Sequence, residues 1–186
     1  MIIHLIRHTT PNIEAGVCYG QSDVPLADSF ETESEKIVDK LFNSYDAIYS
    51  SPLQRCATLS MRLNGKSRFT DDRLLEYDFG DWELMRWDSL TSVEAQDWMS
   101  NFVHQPAPQG ESMLIMQKRV QEFWSELINS DLTSVAIVTH AGVLRLIHGL
   151  IFETAIDKLF RLQLDYGAIL EVNSNQKSGL ITVKYL

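Results

Sequence analysis

Short apolar, β-branched runs alternate along this chain with longer stretches whose apolar residues recur every three or four positions. The first kind predicts strands and the second amphipathic helices. Ile2–Ile6 reads as a buried strand, and residues 31–43 as a helix with Ile37, Val38, Leu41 and Phe42 on one face. Ala47–Tyr49 is a second strand, ending at Ser50-Ser51-Pro52. There Ser51 suits an N-cap and Pro52 a first helical position, opening a helix with Leu53, Ala57, Leu59 and Leu63. A strand at 67–70 precedes the loop LLEYDFGDWE, a helix at 88–103 and a break at QPAPQG. Met113–Ile128 is a long amphipathic helix, and Ser134–Thr139 (SVAIVT) is the most continuous strand pattern. A helix follows over Gly142–Phe152, and strands near 168–173 and 180–185 flank the turn NSNQKSG. Continuous apolar strands belong to parallel sheets covered on both faces. The alternation therefore predicts an α/β fold with a mostly parallel central sheet.

Composition narrows the function classes. A chain of 186 residues with 45% hydrophobic and 22% charged residues has ordinary globular content, which excludes a disordered chain. Its length predicts one domain over 1–186, with residues 71–110 as a loop and helical insertion near the site. The net charge of −9 argues against a non-specific nucleic-acid binder, which needs a basic surface. No apolar run approaches the roughly 20 residues that span a bilayer, so no membrane partner is expected. MIIHLIRHTTP lacks the basic start of a secretory signal, and Cys18 and Cys56 read as reduced thiols. A cytoplasmic location is the expectation. Nothing in the pattern sets the oligomeric state, and a homodimer is compatible with it.

In open α/β sheets, ligands bind beyond the carboxyl ends of the strands. Those ends carry Arg7-His8-Thr9-Thr10, then Ser50-Ser51-Pro52 with Arg55 one turn on, and Thr139-His140-Ala141-Gly142; the loop after the third strand offers Glu76. Two guanidiniums can grip a dianionic phosphate in forked geometry. Their charge lowers the pKa of a neighbouring imidazole, leaving it neutral and nucleophilic. A second histidine can stabilise transition-state charge, and one carboxyl can act as acid and then base. The set reads as phosphoryl transfer through a phosphohistidine, with no metal and no cofactor.

LIRHTTP, YSSPLQRCATL, LLEYDFGDWE and IVTHAGVLR together resemble the four blocks of the histidine phosphatase superfamily, which includes the phosphoglycerate mutases. The blocks run in family order over roughly residues 2–150. The loop GVCYGQSDVPLA is similar to that of the α-ribazole-5′-phosphate phosphatases of cobalamin synthesis. The resemblance implies a three-layer α/β/α fold, His8 as nucleophile, Glu76 as proton donor, and Arg7, Arg55 and His140 around the phosphoryl group. Thr9 is expected to contact phosphate, and Cys18, Tyr19, Gly20 and Ala141 to contact substrate. Two positions depart from the commoner pattern: Thr9-Thr10 stands for Gly-Glu, and Ala141-Gly142 for Gly-Gly.

Several residues have plainer readings. Glu83 shares a loop with Glu76, and the residues alone do not choose between them; the block resemblance assigns the proton to Glu76 and makes Glu83 a partner for backbone N–H or arginine. His4, His104 and His148 read as structural, and Arg145 as turned away from the site into an ion pair. Trp82, Trp87 and Trp98 suit either an aromatic wall or a small core. Ser112 reads as a helix cap. The expected function is hydrolysis of a small phosphomonoester, with α-ribazole 5′-phosphate as the favoured substrate. Alternatives are a broad sugar or nucleotide phosphatase, a phosphoglycerate mutase, whose long insertions are missing, a metal-dependent hydrolase, and a non-catalytic phosphate-binding module.

Overall fold

The computed structural model describes residues 1–175 and 178–186. Six strands form one sheet: β1 (Ile2–Arg7), β2 (Tyr45–Ser50), β3 (Gly65–Thr70), β4 (Ser134–Thr139), β5 (Ile169–Asn175) and β6 (Leu180–Tyr185). Their order is β3-β2-β4-β1-β5-β6, with β3, β2, β4 and β1 parallel and β5 and β6 antiparallel. The helices are α1 (Phe30–Val38), α2 (Gln54–Ser60), α3 (Val93–Asn101), α4 (Met113–Ile128) and α5 (Ala141–Phe152).

Strand alternation divides the core between two faces. Ile3 and Leu5 of β1 and Val135 and Ile137 of β4 pack with α4, α5 and the aromatic residues of 77–98. Ile6, Ala136 and Val138 turn the other way, toward Phe30 and Ile37 of α1 and Cys56 and Leu59 of α2. The result is the expected three-layer α/β/α arrangement. It leaves the parallel strands β1, β2 and β4 ending side by side, with Arg7 opposite Thr139 and Ser50 opposite Val138.

Met113–Ile128 and Ser134–Thr139 match their predicted bounds, and Ser112 Oγ caps α4 by accepting from the Ile115 N–H. Other helix ends differ. The first helix stops at Val38, and Phe42, expected on its buried face, is 39% exposed; its ring stacks on Tyr45, whose hydroxyl faces the Phe42 N–H at 3.2 Å. The second helix starts at Gln54 rather than Pro52; the Asp23 carboxylate accepts from the Gln54 N–H at 2.9 Å, and Ser51 Oγ accepts from the Leu53 N–H at 3.4 Å just ahead of it. The predicted 88–103 helix is shorter, since Ser92 caps it at the Ala95 N–H. Of the predicted turn NSNQKSG, Gln176 and Lys177 lie outside the described residues. Among the described residues no helix is long and apolar enough to cross a membrane.

Candidate active site

The end of β1 delivers Arg7 and His8. The His8 ring is almost fully buried, and its Nδ1 lies 2.7 Å from the Thr9 carbonyl oxygen. That oxygen can only accept, so Nδ1 carries the proton and the Nε2 lone pair is left for chemistry. Burial and the Arg55 charge outweigh the pull of the Thr9 carbonyl, and with Arg7 they push the His8 pKa down to about 3.

Arg55 is fully buried on α2. Its two terminal nitrogens donate to the carbonyls of Ser22 (2.9 Å) and Gly20 (2.6 Å), while its Nε is buried without a partner. Arg7 donates to the Leu164 carbonyl and lies under the Tyr166 ring, its Cζ 3.9 Å from the centroid. Its Nε is also buried and unpartnered, as is Thr9 Oγ1. Buried donors are normally satisfied. Unsatisfied ones converging beside one imidazole form a site suited to an anion.

His140 follows β4 as the residue before α5, completely buried, its ring centroid 5.2 Å from that of His8. Its Nε2 hydrogen-bonds with Ser51 Oγ at 2.8 Å, the same hydroxyl that accepts from the Leu53 N–H ahead of α2. Cys56 Sγ also lies against the ring, 3.5 Å from Nε2. Burial, then the charges of His8, Arg55, Arg119 and Arg7, hold the His140 pKa well below the ordinary histidine value.

Glu76 reaches the same place from the loop after β3. Oε1 accepts from the Tyr77 N–H (3.0 Å) and Oε2 from the Gly142 N–H (3.1 Å) in the first turn of α5. A Cβ on Gly142 would lie 2.1 Å from Glu76 Oε1, so the carboxylate occupies space that only glycine leaves. Arg119 holds the Glu76 loop from outside, donating to the carbonyls of Arg73, Leu75 and Glu76 while paired with Glu111 at 2.5 Å.

Glu83 is placed differently. Its carboxylate accepts from the N–H groups of Gly20, Gln21, Ser22 and Phe79 at 2.9 to 3.2 Å. Burial alone would raise its pKa; the bonds from Gly20, Ser22 and Gln21 outweigh that and keep it below the usual carboxylate value.

Two adjoining cavities meet at Glu76. One, of about 210 Å³, is lined by Arg7, His8, Arg55, His140 and Ala141. The other, of about 220 Å³, is lined by Tyr77, Phe79, Trp87, Trp98, Phe102, Met113, Met116 and Phe160. Tyr19, Glu76, Phe79, Trp87 and Arg145 border both. Trp87 and Trp98 thus form a cavity wall, whereas Trp82 lies in the core against Trp98.

Arg145 corrects the expectation that it points away into an ion pair: it lines both cavities, and its Nε donates to the Leu162 carbonyl at 3.1 Å. His140 is extended (φ −117°, ψ 166°), so helical periodicity starts after it, and Arg145 shares a face with Gly142 three residues back. Cys18 is fully buried in the hydrophobic core and borders neither cavity, and Gly20 serves through its backbone groups. His4 bonds Tyr45 and Glu171, and His104 and His148 border neither cavity. Sequence reasoning missed Tyr166, Ser51 as a partner of His140, and the Arg119–Glu111 frame; only Ser51, at a strand end, carried a readable signal. Among the described residues no three His, Cys, Asp or Glu side chains are grouped as metal ligands.

Known proteins resemble this chain along its whole length. The adenosylcobalamin/alpha-ribazole phosphatase of Salmonella typhimurium is 27% identical, over 100% of this chain and 96% of its own length. A Hydrogenobacter thermophilus protein named "putative phosphoserine phosphatase 2" is 28% identical, over 99% of this chain and 95% of its own. The structure of the alpha-ribazole phosphatase from Shigella flexneri matches in fold with a TM-score of 0.86 at 23% identity, covering 100% of this chain and 96% of that one. Residues 3–184 match the histidine phosphatase superfamily (branch 1), and the chain belongs to that superfamily.

Proposed function

We infer that this protein is a phosphomonoesterase that passes the phosphoryl group of a small metabolite to His8 Nε2 and then to water. The observation that carries this reading is the buried, unpartnered Nε of both Arg7 and Arg55 beside a histidine whose Nδ1 proton is fixed on Thr9. In the first step the Nε2 lone pair attacks phosphorus and the P–O ester bond breaks. Protonated Glu76 gives its proton to the departing alkoxide. In the second step the Glu76 carboxylate takes a proton from water, the hydroxide oxygen bonds to phosphorus, and the P–N electrons return to Nε2. Arg7, Arg55, His140 and Thr9 hold the phosphoryl oxygens through both steps, where preorganised donors stabilise developing charge. The reaction as written uses no metal and no cofactor.

The leaving group would occupy the aromatic cavity, on the far side of Glu76. Seven aromatic side chains and two methionines favour a flat, apolar group, which supports α-ribazole 5′-phosphate as substrate. One observation favours a second reading: Arg145 borders that cavity and, among the described residues, pairs with no carboxylate. A carboxylate-bearing substrate such as phosphoserine would use it.

The test is kcat/KM for α-ribazole 5′-phosphate, phosphoserine and an aryl phosphate in excess chelator, with acid-quench trapping of phosphohistidine. The expected result is about 10⁵ M⁻¹s⁻¹ or more for α-ribazole 5′-phosphate, and a phosphoenzyme absent from His8→Ala. Turnover that needs added metal, or phosphate binding without turnover, overturns the reading. Faster phosphoserine hydrolysis replaces the substrate and leaves the chemistry.

A further inference from the structure

The hydroxyls of Tyr19 and Tyr166 lie 2.6 Å apart, joining the loop after β1 to the turn before β5. Each ring also sits against one phosphate-site arginine. The Arg7 Cζ is 3.9 Å from the Tyr166 centroid, and the Arg55 Cζ is 5.3 Å from the Tyr19 centroid. Tyr166 lies 5.5 Å from the His8 ring, centroid to centroid, and Tyr19 borders both cavities.

The Tyr166 turn is tied to the nucleophile's own backbone. The Gly167 N–H donates to the His8 carbonyl at 3.1 Å, and the Arg7 N–H donates to the Ala168 carbonyl at 2.9 Å. Gly167 has φ +73°, a conformation that glycine adopts without strain and that turns the chain directly after the ring. Tyr166 is therefore built into the site by its ring, its neighbours and its hydroxyl.

A phenol has one proton to donate and two lone pairs to accept. In the Tyr19–Tyr166 pair one proton lies between the two oxygens. The second has no protein acceptor among the described contacts of either hydroxyl. Burial and the Tyr166 bond, outweighing the Arg7 and Arg55 charges, raise the Tyr19 pKa and so favour its protonated, donating form.

We propose that Tyr19 and Tyr166 act as one hydrogen-bonded donor that completes the phosphoryl pocket on its solvent side. The hydroxyl proton not spent between the rings is given to a phosphoryl oxygen already held by Arg7 and Arg55. Donation within the pair polarises the outer hydroxyl and strengthens that bond. The Tyr166 ring has a second, separable task, holding the Arg7 guanidinium against its face. This assignment rests on His8 as the phosphoryl acceptor, and its test is arranged so that the two can fail separately.

The experiment compares Tyr19→Phe, Tyr166→Phe, the double variant and Tyr166→Leu with the unmodified protein. It reads orthovanadate affinity, kcat and KM separately, and the thermal midpoint. Each phenylalanine variant keeps its ring, so the midpoint is expected to hold while orthovanadate affinity and kcat/KM fall about 10- to 100-fold, the range for a hydrogen bond to a charged group. Because the two hydroxyls work as a unit, the double variant is expected to lose little more than the worse single one. Tyr166→Leu, which also frees Arg7, is expected to raise KM beyond the Tyr166→Phe value. Single variants within twofold of the unmodified protein, or losses that simply multiply, overturn the proposal. Should the unmodified protein show no turnover and His8→Ala change nothing, the phosphohistidine reading falls, and orthovanadate affinity alone decides the tyrosine donor.

Discussion

Gly142 and Glu76 fit each other with no room to spare: the glycine N–H donates to one carboxylate oxygen at 3.1 Å, and a methyl on its Cα would lie 2.1 Å from the other. The first turn of α5 thus fixes the proposed proton donor by a hydrogen bond and by the absence of a side chain. Glycine costs helix propensity there, and the position keeps it because the carboxylate needs the space.

Gly142→Ala is therefore expected to separate stability from activity. Alanine favours helix, so the thermal midpoint is expected to hold or rise slightly. The displaced Glu76 is expected to lower kcat by 10²- to 10⁴-fold, the span for a misplaced general acid. Paired melting and steady-state assays on one preparation check this. An unchanged kcat would mean that the bond to Gly142 does not set the working position of Glu76.

The two glutamates of the 74–83 loop are expected to fail in different ways. Glu76→Gln removes a proton donor and is expected to lower kcat by 10²- to 10⁴-fold with KM little moved. Glu83 never touches Arg55, yet it holds the N–H groups of residues 20–22, whose carbonyls at 20 and 22 hold the guanidinium. Glu83→Gln turns an amide NH₂ toward those donors, so KM is expected to rise roughly tenfold and stability to fall by about 1–3 kcal/mol. Opposite patterns in the two variants would exchange their roles.

The sequence was legible where local pattern and chemistry coincide. SVAIVT has one reading because strand period, β-branching and burial agree, and it places His140 at a strand end. Arg7, His8, Arg55 and Glu76 stand out because each sits at such an end or in a recognisable block, and the fold brings them to one cavity. Ser51 is legible only in part: its hydroxyl accepts from the Leu53 N–H, as a serine before proline suggests, but its bond to the distant His140 has no local sign. Arg145 was misread because the helix was counted from His140, whose extended backbone places it outside the helix. Tyr166 gives no signal: its partners, Arg7 and Tyr19, lie more than 140 residues earlier, and Gly167 marks a turn without marking the ring before it.

Acid is expected to destabilise the protein through its site histidines. The His8 pKa is about 3 in the folded chain against 6.5 for an unconstrained histidine, and His140 is shifted the same way. Between these values the unfolded chain binds protons that the folded chain refuses. The stability these neutral rings contribute is full above pH 6.5 and is lost as pH falls toward 3. His8 adds a slope of about 1.4 kcal/mol per pH unit within that window, and His140 adds in the same direction. Urea unfolding at pH 7, 6, 5 and 4 measures it, and His8→Gln is expected to remove about one proton's share. Equal slopes for both proteins would mean that His8 titrates normally when folded.

Arg145 decides between the two kinds of leaving group. Burial lowers its pKa, with Glu76 pulling the other way; among the described residues its one hydrogen bond goes to the Leu162 carbonyl, and its Cζ lies over the Phe160 ring, 5.4 Å from the centroid. A guanidinium held there is worth most to a substrate that brings a carboxylate, since a charged pair in a partly dry cavity is stronger than a neutral contact. If the natural leaving group is the flat, neutral one that the aromatic walls favour, Arg145→Met keeps the apolar stem and is expected to change kcat/KM for α-ribazole 5′-phosphate less than fivefold. The same variant is expected to lower kcat/KM for phosphoserine by about 10- to 100-fold. Measuring both substrates on both proteins gives a ratio that does not depend on the fraction of active enzyme. A large loss on α-ribazole 5′-phosphate would show the arginine reading a polar atom of that substrate, and equal small losses on both would remove Arg145 from substrate selection.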